Sequence, residues 1–76
     1  MILKGDLVYV PVGVRLSSSP VYAGAPPPRS WLDTDSPINL LVLKKLEEHG
    51  LLEVYFRGSS WYLNEKHVYH SKETNK

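Results

Sequence analysis

The sequence predicts a small all-β domain, built as a barrel of four or five short antiparallel strands. Three observations carry that expectation. The segment Leu51-Leu-Glu-Val-Tyr-Phe-Arg57 alternates cleanly, with Leu52, Val54 and Phe56 on one side and Glu53, Tyr55 and Arg57 on the other. Gly58-Ser59-Ser60 then turns the chain into a second aromatic segment, Trp61-Tyr62-Leu63. Five of the six prolines fall between Ser17 and Pro37, which keeps regular helix out of that stretch.

Taken in order, residues 1–16 open on a turn-like Lys4-Gly5-Asp6 and continue into the β-branched run around Val8 and Val10. Pro11 demotes the far half of this strand to an edge or a bend, and Gly13 marks a bulge or kink. Residues 17–37 read as one long proline-rich loop, with Pro26-Pro27-Pro28 in polyproline II geometry. A loop of that length inside a compact domain tends to carry function.

Residues 37–49 admit two readings. Ser36 as N-cap, Pro37 at the first helical position and Gly50 as C-cap describe a helix, with Ile38, Leu41, Val42 and Leu46 on its apolar face. That alternative gives an α+β domain, a helix packed on a small antiparallel sheet. Against it, Glu47 and Glu48 would sit at the negative end of the helix dipole and Leu43 would lie off the face. The other reading is a strand, Ile38 to Leu46, joined to the next through a hairpin in which Gly50 takes the left-handed position. Beyond Leu63, Asn64 to His67 suits a single 3₁₀ turn, Val68 and Tyr69 add a last short strand, and His70 to Lys76 should fray.

Composition bounds function. Seventy-six residues make one domain, residues 1–70, with a disordered tail at 71–76. A content of 42% hydrophobic and 22% charged residues is that of a folded chain. The absence of cysteine removes disulfides, thiolate nucleophiles and Cys-based zinc sites. A net charge of +1, with Lys44-Lys45 answered by Glu47-Glu48, argues mildly against a dedicated duplex binder. The N-terminus lacks a basic signal-peptide region and no run is long enough to span a bilayer, so a soluble cytoplasmic protein is expected.

Candidate chemistry is thin. Glu65, His67 and His70 would suit a two-His-one-carboxylate metal site only on a helix, and a turn plus strand is expected there, so no metal and no cofactor is assigned. Asp33-Thr-Asp35 lacks the later glycine and glutamate of a calcium loop. Ser59 and Ser60 have no strand–elbow–helix context, and Gly5, Gly13 and Gly24 form no phosphate cradle. No enzyme is expected.

The aromatic residues are more informative. Five tyrosines, two tryptophans and one phenylalanine are many for a chain of 76 residues, and they serve either to cover a small core short of Leu and Ile or to make contacts outside it. Phe56 and one of Trp61 and Tyr62 are expected inside, leaving Tyr55 and Arg57 on the outer face of the hairpin. Exposed rings beside arginine suit protein interfaces, so Tyr22, Arg29 and Trp31 of the loop, together with Tyr55 and Arg57, are the candidate partner-binding residues.

The opening Lys4-Gly-Asp-Leu-Val-Tyr-Val-Pro11 and the ending Gly58-Ser-Ser-Trp-Tyr-Leu-Asn-Glu-Lys-His-Val-Tyr69 resemble small Src-homology-3-like or KOW-like barrels. More narrowly, they resemble short uncharacterised proteins of tailed phages, T-even-like cyanophages in particular. In Src-homology-3 barrels the fourth strand ends in a 3₁₀ turn before a brief fifth strand, and Leu63, Asn64 to His67 and Val68 follow that sequence. The resemblance spans both ends of the chain but not the proline loop, and it favours strand over helix at 38–46. It implies a phage-encoded binding or adaptor module acting on a host protein or a virion component, in the host cytoplasm or the virion. Acidic loop residues and the aromatic dipeptide of proline-peptide binders are missing, so that specificity does not carry over. Two further expectations stand beside this one. A KOW-like nucleic-acid binder would use Lys4, Arg15, Arg29, Lys44, Lys45, Arg57 and Lys66, and a self-associating structural protein would pair through an exposed edge.

Overall fold

The computed structural model describes residues 2–70 and shows one antiparallel sheet of seven strands. These are β1 (Leu7–Val10), β2 (Arg15–Ser17), β3 (Trp31–Asp33), β4 (Ile38–Leu46), β5 (Leu51–Phe56), β6 (Ser59–Asn64) and β7 (Tyr69–His70), with a 3₁₀ turn at Glu65–His67 before β7. Their order across the sheet is β3-β2-β6-β5-β4-β1-β7, an open series with β3 and β7 at its ends. The all-β expectation holds. The helix alternative for 37–49 does not, because residues 38–46 pair with β1 on one side and β5 on the other. The sheet has more strands than the four or five expected, since two three-residue strands flank the proline loop.

The core lies on one face. Val8, Val10, Leu16, Val42, Leu52 and Val54 are fully enclosed, and Ile2, Val14, Leu40, Leu63 and Val68 close around them. Alternation sets this face in β1, where Val8 and Val10 point in while Leu7 and Tyr9 point out. In β4 the alternation breaks at a β-bulge. Val42 stands opposite Val54 and Lys44 opposite Glu53, so Leu43 is the extra residue. Burial of Phe56 is partial rather than complete. Trp61 is the ring of the 61–62 pair that packs against the core, and Tyr62 faces the other way.

The β5–β6 connection is tighter than expected. Phe56 pairs with Ser59, leaving only Arg57 and Gly58 in the turn, both at positive φ (52° and 83°). That is the two-residue hairpin whose twist matches the strands. Ser59 and Ser60 therefore belong to β6, not to the turn. At the β4–β5 corner Gly50 adopts φ 67°, and its carbonyl accepts from the Glu65 amide at 3.0 Å. His70 does not fray. It pairs with Val8, and its Nε2 lies 2.8 Å from the Asp6 carboxylate. The expected tail at 71–76 lies outside the described residues.

Between β1 and β2 the chain crosses the mouth of the fold, pinned by Thr34. The Thr34 hydroxyl donates to the Pro11 carbonyl (2.7 Å) and accepts from the Val14 amide (3.0 Å). Its backbone completes the clasp, accepting from Gly13 and donating to Val14. The proline loop is shorter than the 17–37 expectation, because Arg15, Leu16 and Ser17 pair with Asp33, Leu32 and Trp31. Its neck is closed by the Ser18 hydroxyl, which accepts from the Arg29 and Ser30 amides at 3.1 Å each.

Candidate functional site

A cleft of about 640 Å³ opens between the 11–17 crossing, the base of the proline loop and the β6–β7 end of the sheet. One wall carries Val12 and Trp31, which are 58% and 49% exposed, and the other carries Tyr62 and Tyr69. Trp31 starts β3 because Ser17 pairs with it and holds it at the sheet edge. Its ring is covered by the Arg15 guanidinium at 5.5 Å, a cation–π distance. Arg15 is itself fixed by its cross-strand partner Asp33, through contacts of 2.9 and 3.2 Å. The same pair holds the Asp33 carboxyl below its ordinary range, first by the hydrogen bond from Arg15 and then by its charge.

Tyr62, on the second wall, is partly buried. Burial, followed by the charge of Glu53 and the hydrogen bond to it, raises its phenol above the ordinary value, so the hydroxyl stays protonated. The Ser17 hydroxyl is engaged with backbone, donating to the Ser19 carbonyl at 2.8 Å. Lys66 and His67 reach the cleft from the 3₁₀ turn, which Asn64 caps by accepting from the Lys66 amide at 2.8 Å.

The five residues singled out from sequence do not converge. Trp31 lines the cleft. Tyr22 stacks on His49 with centroids 3.8 Å apart and planes 4° from parallel, tying the proline loop to the β4–β5 turn beside Leu51. Arg29 is exposed at the loop neck. Tyr55 stands on the outer sheet face next to Leu41, which in turn neighbours Leu7. Arg57 lies over the Phe56 ring at 4.8 Å and lines a separate hollow of about 70 Å³. Sequence reading missed Val12, Lys66, His67 and Tyr69 as members of one site. They are joined only by tertiary structure, although Val12 directly after a strand-ending proline was a usable signal.

Among the described residues, no three His, Asp or Glu side chains gather in a group that would hold a metal. Glu65 meets Lys45 at 3.8 Å and His70 meets Asp6. No helix of the described residues is long and apolar enough to cross a membrane. No family model, no curated protein and no solved structure matches the chain.

Proposed function

We propose that this chain is a non-enzymatic binding module that acts through a protein partner, and that the partner sits in the cleft walled by Trp31, Val12, Tyr62 and Tyr69. The carrying observation is that cleft: a concave surface of the size of a ligand site, lined by three aromatic rings and exposed aliphatics, with its one serine hydroxyl bound to backbone. Such a lining buries apolar surface and gives little purchase for bond-making. Aromatic anchors in a recess are what tight protein contacts use.

The 3₁₀ turn before a two-residue last strand that returns to β1 supports reading the sheet as a rolled Src-homology-3-like barrel. With the resemblance of both chain ends, it supports a phage-encoded adaptor working in the host cytoplasm or the virion. Tyr22 lies outside the cleft lining and acts on it only by tying the proline loop to His49. Tyr55 and its neighbours Leu7 and Leu41 make a separate apolar row, the best surface for the self-association reading. Nucleic-acid binding is less favoured. Of its seven cations, Arg15 and Lys45 are already paired with Asp33 and Glu65, and the rest are spread over different elements.

Affinity capture with tagged chain tests this, run with and without nuclease and at two salt concentrations. A protein retained through nuclease and raised salt, and lost with Trp31→Ala, is expected. Nucleic acid alone, released by salt, would overturn the reading in favour of the KOW-like one.

A further inference from the structure

Charge narrows what the cleft accepts, an inference that rests on the cleft being a protein-binding site. None of its lining residues is a carboxylate. Of its cations, Arg15 is committed to Asp33. Lys66 is not: it is exposed on the capped turn with the His67 imidazole beside it, and no ion pair among the described residues holds it. The adjacent Glu65 points its carboxylate to Lys45 instead. The site therefore places one lysine, with an imidazole beside it, next to an apolar, aromatic wall.

We propose that the cleft takes a short, largely apolar peptide segment bearing one carboxylate, with the anion on Lys66 and His67 and an apolar side chain against Trp31. Charge complementarity selects this occupant. A nucleic-acid strand gains affinity with each phosphate it neutralises, and one lysine with one histidine offers too few contacts. A Pro-Arg segment, the chain's own Pro26–Arg29 included, would bring a cation to a cleft whose lining has no carboxylate and whose adjacent Asp33 and Glu53 are already engaged by Arg15 and Tyr62. A single charge-assisted contact flanked by burial suits a peptide.

The test is selection of a random decapeptide display library on the intact chain, with counter-selection on Trp31→Ala and affinities then measured against Lys66→Glu. Both positions are exposed, and a near-ultraviolet circular dichroism spectrum matching the parent confirms that each variant is folded. The expected result is enriched peptides sharing one Asp or Glu among apolar residues, bound about tenfold more weakly by Lys66→Glu. Enriched peptides without an acidic residue, indifferent to Lys66→Glu, would overturn the carboxylate and leave the peptide cleft standing. Failure to enrich anything that discriminates Trp31 would overturn both. A parallel anisotropy titration with a fifteen-residue oligothymidine should show no binding that Lys66→Glu removes, and such binding would also overturn the proposal.

Discussion

Thr34 does more for this fold than its size implies. It is buried, and its one hydroxyl satisfies two backbone groups of the 11–14 crossing, the Pro11 carbonyl and the Val14 amide. Thr34→Val keeps the shape and strands both groups, so it should cost about 1–3 kcal/mol in urea unfolding. Thr34→Ser, which keeps the hydroxyl, should lose clearly less, and equal losses would contradict this role. Asp33 is the second residue whose effect can be given a sign. Its carboxyl is held below the ordinary value of 3.8, so the ionised form favours the folded state. The contribution is present above that ordinary value and is lost as pH falls through the lower folded value. Both side chains are well exposed, so the effect on stability is small. Indole fluorescence of Trp31, whose ring Arg15 covers, should nonetheless change in that acidic window, and Asp33→Asn should abolish the change. A transition that persists in Asp33→Asn would separate Trp31 from the ion pair.

The elements were legible where alternation was unbroken. In β5 the inward Leu52 and Val54, with Phe56 beyond them, are read directly from sequence, as is the outward Tyr55. β4 was ambiguous for a physical reason. Its bulge at Leu43 shifts the parity of everything after Val42, and Ile38, Leu41, Val42 and Leu46 fall at spacings that imitate a helix although Leu41 points outward beside Tyr55. Deleting Leu43 should then leave every β4–β5 pairing intact and cost only about 1–2 kcal/mol, the burial of one half-enclosed leucine. Deleting Leu41 would turn Leu40 outward and unfold the chain. Circular dichroism with urea titration compares the two, and unfolding by the Leu43 deletion would contradict the bulge account. β2 and β3 were not legible at all. Three residues each, they exist because Ser18 closes the loop that joins them and Thr34 clasps their other end to the 11–14 crossing. The hairpin turn was placed one residue late, since an arginine at positive φ is not a turn signal. Gly58→Ala meets no atom within 4 Å, so its expected cost of about 1 kcal/mol is wholly torsional.

At the scale of the molecule, the candidate site is where short elements meet rather than where any motif lies. Trp31 could be singled out from sequence, but the wall it faces comes from residues about thirty to forty positions later in the chain. The molecule also carries an apolar row on its outer face, Leu7, Leu41 and Tyr55, so two surfaces compete as the place of contact. Photo-crosslinking decides between them. A benzophenone amino acid replaces either Val12, at the cleft rim, or Tyr55, on the outer face, in the full chain exposed to lysate of its native cell. A binding module that works through the cleft predicts a nuclease-resistant polypeptide adduct from position 12, lost when Trp31→Ala is added, and none of that adduct from position 55. The same polypeptide captured from position 55 alone, or an adduct to nucleic acid from position 12, would contradict it.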